Sequence, residues 1–499
     1  MKNNLFYIAI ASVLFFPVSA CESMLEVSEK STVTLDVAAS TLNSQEAIIL
    51  HCYHSLQTVD MYGRTMMITP DLMADQTYIT ASNSGRYVAL SNNVAGNHVN
   101  NWEYCYDVIV KANIVISTID GIEMQGEDDN PNRRDWLKAE ALFFRAFSHF
   151  DLARVYGFEP PRAVERSFSY CIPIMDRPFI YDGGDIPAYL FPPRNTVDEV
   201  YTFVERDLNA AFSLMENNPI DTQSPWRISK YAIKSLLARL YLYWEKYPQA
   251  IEAATYVINN SGIPLHKGEY RDIFSQSVET IFGLYYNMSE SLGGDSMMSI
   301  LSRPETGNRD VQGRENPIGP ANSHGDVGIS PNLVNSYEEG DVRRTLFRWV
   351  LKGTENVYWC SKYASYGGYW GQDNLSIIRI SELYTIRAEC YASLLAPNIG
   401  AAMNDVNALR ASRRLPTLDN PLLSAQEVLD IVELECVKEF ICEGHRFYDL
   451  KRKGKGWVKA TNSGSGGGSI LGNDYRILAR IPPTQMDINP NLLPQNPGH

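Results

Sequence analysis

The chain has 499 residues, of which 44% are hydrophobic and 11% aromatic, and it carries a formal net charge of −14. This acidity argues against nucleic acid as a partner, since binding a phosphate backbone requires clustered Lys and Arg side chains, and it disfavours adhesion to an anionic membrane face. The length suffices for two or three ordinary domains or for one large helical array.

Residues 1–20 have the composition of a signal peptide. Lys2 precedes the apolar run LFYIAIASVLFF, and small residues follow it. The tetrapeptide VSAC, which ends at Cys21, resembles the bacterial lipoprotein signal, and this implies cleavage before Cys21 and lipidation of its sulfur. The alternative is a plain secreted protein with a chance cysteine. A lipidated N-terminus would anchor the mature chain to a membrane without spanning it.

Of the eight cysteines, seven follow Cys21. Their odd number and wide spacing predict neither a disulfide framework nor a CxxC metal site. We expect most of them to be small core residues on helices.

The hydrophobic pattern after the leader is mainly helical. Apolar side chains recur at steps of three and four over residues 102–119 and, more strongly, over residues 135–156, which stop at Gly157. Thr196 and Glu199 form a capping box at the start of another helix. A second capping box, Ser424 with Glu427, precedes a final helix predicted to reach about Lys453.

Four regions interrupt this pattern. Residues 158–195 are rich in proline, residues 283–330 in glycine, asparagine and proline, residues 355–373 in aromatic side chains, and residues 461–469 have the sequence TNSGSGGGS. None has the form of a clean domain boundary, so residues 21–499 are predicted to form one domain with loop-rich inserts.

One helical pair has the spacing of a tetratricopeptide repeat. In LLARLYLYWEKYPQAIEAATYVI, Leu237, Ala238 and Tyr241 precede the small residues Ala250 and Ala254 at nearly the expected offsets. A second candidate unit starts at Ala388. Since single repeats cannot bury their own faces, at least three should stack, which predicts a mostly α, tetratricopeptide-like superhelix. Generic helical hairpins are the alternative.

Several segments together resemble a known family. They are KAEALFFRAFSHFDLARVYG, TVDEVYTFVERDLNAAFSLM, ISPNLVNSYEEGDVRRTLF, IIRISELYTIRAECYASLL, VNALRASR, ECVKEFICEGHRFYDLKR and ARIPPTQMDINPNLLPQNPG. In this order and spacing, behind a lipoprotein signal, they resemble the SusD/RagB-like outer-membrane nutrient-binding lipoproteins over nearly all of the mature chain. The sequence departs from the family pattern at Cys436, after Glu435, where the family tends to have an arginine; this puts a buried ion pair in question.

The resemblance implies a lipid-anchored protein on the outer face of the outer membrane of Bacteroidetes-type bacteria. Members cap a SusC-like TonB-dependent barrel transporter and capture glycans or, in RagAB-like complexes, peptides for import. A tetratricopeptide scaffold that binds only protein partners is the alternative from another class.

A glycan site needs aromatic planes for the apolar faces of sugars and polar side chains for their hydroxyls. The segment YWCSKYASYGGYW, residues 358–370, supplies the planes, and Tyr366, Tyr369 and Trp370 stand beside glycines that favour exposure. The alternative is a partly buried strand at residues 358–363, because aromatic runs are more often core than platform.

Two further sets of residues are candidates for ligand contact. Asn97, His98, Asn101 and Trp102 precede a helix in a neighbourhood from which family members tend to draw ligand contacts, although Trp102 lies on the helical period and fits a core position better. The loop of residues 283–328 is the other set, and it either binds ligand carboxylates through arginine or is only a solvated loop. Its polar side chains are Arg303, Arg309, Arg314, Asn322 and His324.

The sequence does not favour catalysis. Neither HExxH nor GxSxG occurs, and the glycine run 464–468 follows no predicted strand and lacks a phosphate-loop Lys-Ser/Thr pair. The acidic run Glu127, Asp128, Asp129 is typical of a solvated turn. The resemblance places His445 on a structural helix. No cofactor is predicted, and a structural calcium ion is left open because oxygen ligands leave weak sequence marks.

Overall fold

A computed structural model describes residues 40–124, 129–178, 188–220, 224–303, 307–310, 313–315 and 323–499. Cys21, Glu127, Asp128 and Asn322 therefore lie outside the described residues. Within this part of the chain, no helix is long and apolar enough to cross a membrane.

Helices dominate the described residues. In chain order, α1 to α17 are Leu42–Gln57, Thr65–Met73, Val88–Ser91, Trp102–Thr118, Pro131–Tyr156, Pro160–Arg166, Val197–Met215, Lys230–Tyr243, Tyr247–Asn260, Asp272–Ser275, Met297–Leu301, Pro331–Ser336, Ile380–Ser393, Ile399–Ser412, Ala425–Glu439, Arg446–Arg452 and Pro483–Ile488. The strands β1 to β8 are Thr77–Ile79, Thr280–Leu284, Val327–Ile329, Phe347–Lys352, Glu355–Cys360, Leu375–Arg379, Trp457–Thr461 and Gly464–Ile470.

The strands form small antiparallel sheets. One has the order β1-β3-β5-β4, while β2 pairs with β6 and β7 with β8. Strands β2 and β6 are buried along their whole length and belong to the main core together with the helices.

The long helix α5 is the centre of the core. It packs between α4 and α7, and nearly every residue from Leu137 to Tyr156 is buried. A helix that is covered on all sides can carry apolar side chains around its whole circumference. This explains the strong hydrophobic signal of residues 135–156.

The predicted stacking of helical hairpins is confirmed. Helix α8 packs against α9, α9 against α13, and α13 against both α14 and α15. Ala250 and Ala254 are fully buried in α9, where their small side chains allow the neighbouring helices to approach closely. The fold is therefore mostly α and tetratricopeptide-like.

Both predicted capping boxes are present, at Thr196 and Ser424. The final helix, however, does not run to Lys453 as predicted, because α15 ends at Glu439 and α16 begins at Arg446. Between them the backbone turns with φ of +62° at Cys442 and +77° at Gly444. The Cys442 N–H donates to Asp71 Oδ2 at 2.5 Å, so the turn is held against α2. Gly444 leaves no room for a Cβ beside the Met66 carbonyl, which explains the glycine at this position.

Buried ion pairs join the end of α15 to its neighbours. Arg413 lies 3.0 Å from Glu279 and 2.8 Å from Glu439, and Arg379 lies 3.2 and 2.9 Å from the same two carboxylates. All four side chains are nearly inaccessible to solvent. Such charges are tolerated in a core only when each is paired.

The departure at Cys436 does not remove ion pairing from α15. Glu435 lies 2.8 Å from both Arg343 and Arg410. Cys436 packs against the apolar cluster between α13, α14 and α15. Among the described cysteines all are free and all except Cys436 are buried, but only three of the seven are both buried and on a helix, fewer than expected.

The regions predicted to be loops contain more regular structure than expected. Residues 461–469 are not a loop, since the glycine run is strand β8 and follows strand β7. Backbone pairing needs no side chain, and a Cβ at Gly467 would crowd Lys459, so glycine suits this hairpin. The described parts of residues 158–195 and 283–330 include α6, β2, α11 and β3. The strand alternative for residues 358–363 is confirmed only as far as Cys360, where β5 ends; Trp359 and Cys360 are fully buried in it.

Candidate ligand-binding surface

Residues 364–373, here called the aromatic loop, connect β5 to β6 and are held at their base by Asp373. Its carboxylate accepts backbone N–H groups from Ala364, Ser365 and Tyr366 at 3.2, 2.9 and 2.8 Å. Burial raises the pKa of Asp373, although these three N–H groups oppose the shift. The loop is therefore fixed by backbone contacts.

The tip of the aromatic loop presents two aromatic side chains to solvent. Tyr369 is 53% exposed and Trp370 is 36% exposed. Gly371, with φ of +75°, brings the loop against residues 291–296, where a Cβ would lie only 2.6 Å from the Gly293 nitrogen. The Ser291 hydroxyl also donates to the Trp370 carbonyl. The predicted exposure of these two rings is confirmed.

His324 lies beside the Trp370 ring. A Cβ placed on Gly294 would be 3.5 Å from both His324 Nε2 and the edge of the Trp370 indole. The His324 backbone N–H donates to the Ser299 carbonyl at 2.8 Å, which fixes its loop on α11. The structure thus brings together two predicted site residues that are separated by 46 positions in the sequence.

Charged side chains lie beside His324 and Trp370. Asp295, next to Gly294, has a side chain that is 58% exposed and lies 2.6 Å from Arg64 and 3.0 Å from Arg86. Arg86 also donates from Nε to the buried carboxylate of Asp326 at 3.0 Å. The exposed carboxylate of Asp295 can accept hydrogen bonds from ligand hydroxyls, and the arginines are held in place by their ion pairs.

Tyr87 packs beneath these arginines, and its hydroxyl oxygen is buried. The guanidinium groups of Arg64 and Arg86 lie 5.6 and 5.7 Å from its ring centroid. Burial raises the pKa of Tyr87 to about 12, so its phenol is neutral at physiological pH. We call the set Tyr87, Asp295, His324, Tyr369 and Trp370 the candidate surface.

Tyr366 was predicted to be exposed, and this is wrong. Its hydroxyl donates to the Ser361 carbonyl at 3.1 Å, and its ring packs against the apolar cluster that contains Tyr270 and Phe274. Tyr366 therefore anchors the aromatic loop from within, while Tyr369 and Trp370 face outward.

The residues before α4 belong mainly to helix packing. Trp102 is 4% exposed and packs edge-on against Tyr156, in agreement with its helical period. The His98 ring packs against Phe447, and burial lowers the pKa of His98 to about 3. Asn101 is fully buried and Asn97 is exposed. Burial removes Asn101 from any surface that a ligand can reach, while the small exposed part of Trp102 lines a cleft of about 320 Å³.

Arg309 pairs with a strand edge. Its backbone N–H and carbonyl bond to Trp349 at 2.8 and 2.9 Å, and its guanidinium donates to the Gly313 carbonyl at 2.7 Å. Its side chain is exposed, but these contacts place it beside β4.

In the part of the chain that the structure describes, no group of three or more His, Cys, Asp and Glu side chains could hold a metal ion.

Comparison with known families agrees with this architecture. A family model described as starch-binding and associating with the outer membrane matches residues 24–242, and the SusD family model matches residues 348–499. The chain belongs to the SusD-like family. This family contains carbohydrate-binding proteins, and its description associates it with the outer membrane.

Individual relatives are similar over nearly their full length. SusD-like protein P2 of Formosa agariphila is 26% identical, with 91% of this chain and 92% of that protein covered. A SusD superfamily structure from Bacteroides thetaiotaomicron is 27% identical with a TM-score of 0.73, covering 92% of this chain and 100% of that one. A laminarin-binding SusD-like protein has the same fold at 19% identity, with a TM-score of 0.68 and the same coverages.

Sequence reasoning missed Tyr87 and Asp295, and with them the flanking Arg64 and Arg86. These residues lie on separate segments without a local pattern, and only the tertiary fold brings them together. The one available signal was the glycine pair that precedes Asp295, since glycines often mark a close backbone approach.

Proposed function

We propose that this SusD-like protein captures glycan chains at the cell surface and delivers them to a TonB-dependent outer-membrane transporter. The observation that carries the proposal is the exposed pair Tyr369 and Trp370 beside His324 and Asp295. Aromatic planes next to hydrogen-bonding side chains match the two kinds of surface that a sugar presents.

The charges favour a glycan over a peptide. Arg64 and Arg86 are already engaged by Asp295 and Asp326, so the carboxylate of a peptide terminus would have to compete with these ion pairs. A neutral sugar imposes no such competition. The name of the laminarin-binding relative supports a glycan as ligand, and the starch-binding description of the family model does so too.

The proposed role is binding without catalysis, and no cofactor is proposed. Cys21 would carry the lipid that anchors the protein on the extracellular side of the outer membrane, next to a SusC-like barrel. A lipid anchor suffices for this position because the barrel supplies the route across the membrane.

The test is a binding panel on the mature chain without its lipid, residues 22–499. Affinity electrophoresis and calorimetry would measure binding to laminarin, starch, and other plant, host and microbial glycans, with mixed oligopeptides in parallel. Binding of one glycan class supports the proposal. Binding of peptides alone replaces it with a RagAB-like role, and binding of neither indicates a protein that acts mainly as a cover on its transporter.

A further inference from the structure

A second aromatic pair lies near residues 291–296, the segment that packs against the aromatic loop. Trp226 and Tyr285 have ring centroids 5.9 Å apart with planes inclined by 56°. Tyr285 is 50% exposed and Trp226 is half-buried. Neither residue belongs to the candidate surface.

The Trp226 ring is held against strand β2. The Gly283 N–H donates to the Pro225 carbonyl at 2.9 Å, and a Cβ on Gly283 would lie 3.0 Å from the indole. Glycine at this position therefore lets the indole lie directly on the strand. The Tyr285 carbonyl accepts from the Gln57 side chain, which holds the backbone that carries the second ring. Backbone contacts therefore position the main chain at both residues.

A cleft of about 410 Å³ lies at the start of the same strand, and its lining includes Pro225, the residue that precedes Trp226. Its described lining contains no Asp, Glu, Lys, Arg or His, although the protein as a whole carries a net charge of −14. The Asn260 side-chain amide donates to the Tyr256 carbonyl at 2.7 Å, which orients its carbonyl oxygen as an acceptor, and the Ser261 hydroxyl accepts from the Ile263 N–H and retains its own proton to donate. The other lining residues are Ser224, Pro225, Ser229, Tyr231, Gly262, Ile263, Thr280 and Ile281.

We propose that Trp226 and Tyr285, together with this uncharged cleft, form a second saccharide-binding surface that takes neutral sugar units. Stacking on the rings and hydrogen bonds to hydroxyl and amide groups are the contacts a neutral sugar can satisfy, and the described lining of the cleft offers no charged side chain to bind an acidic sugar or a peptide terminus.

The two surfaces are close enough to bind one chain. Tyr285 and Ser291, whose hydroxyl bonds to Trp370, are six residues apart, so their Cα atoms are at most about 20 Å apart. A polysaccharide that reaches both surfaces would bind more tightly than a fragment confined to one of them, since the second contact becomes intramolecular. This inference rests on the proposed glycan-binding function.

The experiment measures retention of the mature chain by laminarin and starch in affinity electrophoresis. We expect the double variant Trp226→Ala/Tyr285→Ala to bind the retaining polysaccharide at least five-fold more weakly, and the residual binding of Trp370→Ala to disappear when both changes are added. Tyr285→Phe keeps the ring and should bind as the wild type does. Tyr189→Ala removes an exposed tyrosine outside both surfaces and serves as the matched control.

The outcomes separate this inference from the proposed function. Wild-type binding that the double variant retains within two-fold overturns the second surface alone. If the wild type binds neither these two polysaccharides nor any other glycan of the panel, the proposed function fails and the second surface fails with it. Thermal unfolding checks each variant, and if Trp226→Ala does not fold, Tyr285→Ala alone decides because that side chain is half exposed.

Discussion

Arg413 Nη2 lies 2.8 Å from Glu439 Oε1, and neither side chain is accessible to solvent. Arg379 and Glu279 complete the pairing, so each of these charges has at least two opposite partners. Burial alone would raise the pKa of Glu439, but Arg413, Arg379 and Arg343 outweigh it and hold that pKa well below its ordinary value. The cluster is built to keep every member ionised.

Removing one member of this cluster should destabilise the fold strongly. We expect Arg413→Met to lower the free energy of unfolding by about 3–5 kcal/mol, because it leaves Glu439 and Glu279 with fewer partners in the core. Urea denaturation measures the change. The neighbouring Arg414→Ala, which breaks an exposed pair with Glu269, should cost only about 0–1 kcal/mol. Equal effects of the two changes would contradict the structural role of the cluster.

Asp71 should give the protein a pH-dependent stability. Burial raises its pKa to about 7, against about 3.9 for an unfolded chain. The folded state therefore binds a proton more tightly than the unfolded state, and the contribution of this group to stability is full below about pH 4 and is lost as the pH rises through 7. We expect the free energy of unfolding of Asp71→Asn, relative to the wild type, to rise between pH 4 and pH 7. A pH-independent difference between the two proteins would rule out this shift.

Truncation of the outward ring should weaken ligand binding without unfolding the protein. Trp370→Ala is expected to weaken glycan binding about tenfold or more, since loss of a central aromatic contact commonly costs about 1–2 kcal/mol and 1.4 kcal/mol is tenfold. Calorimetry on the panel measures it. Leu351→Ala, at a side chain that is 59% exposed on β4, is the control. Unchanged affinity in Trp370→Ala would move the binding site elsewhere.

Two glycines in the aromatic loop should respond differently to alanine. Both have positive φ, +94° at Gly368 and +75° at Gly371, but a Cβ meets nothing at Gly368 and meets the Gly293 backbone at Gly371. Gly371→Ala should therefore displace the loop and weaken glycan binding several-fold, while Gly368→Ala adds only backbone strain of about 1 kcal/mol. Titration of both variants with the same glycan tests this order, and the reverse order would contradict the described packing.

The proposed lipid anchor has a direct test. Cys21→Ala should shift the protein from the membrane fraction to the soluble fraction of cells that express the full chain, because a lipidated cysteine is required for the anchor. Mass spectrometry of the mature wild-type N-terminus should show the lipid on Cys21. An unmodified Cys21 in membrane-bound protein would exclude this mode of attachment.

The helical scaffold could be predicted because its signals are local. The capping boxes at Thr196 and Ser424 and the small residues of α9 each act within one or two turns of a helix, and the structure has all of them. The helix break after Glu439 could not be predicted, because Gly444 is required by a contact with α2, which is distant in the sequence. Strand β8 could not be predicted, because a glycine run has no alternation of apolar and polar side chains.

The candidate surface could be predicted only in part. Tyr369 and Trp370 belong to a local aromatic pattern in the sequence. Tyr87 and Asp295 are brought to the candidate surface by the packing of separate loops, which produces no periodic pattern in the sequence. Tyr366 and Tyr369 flank the same glycine pair in the sequence, but Tyr366 has the opposite orientation because its ring packs against an apolar cluster. Composition identified the loop, and tertiary packing decides which of its rings face solvent.

Asp373 grips the base of the aromatic loop through main-chain N–H groups, which every amino acid except proline supplies. Side chains at positions 369 and 370 take no part in that grip. These two side chains can therefore be substituted without loss of the hydrogen bonds that hold the loop. Under the proposed function, a change of ligand at these two positions would leave the backbone contacts of the loop intact.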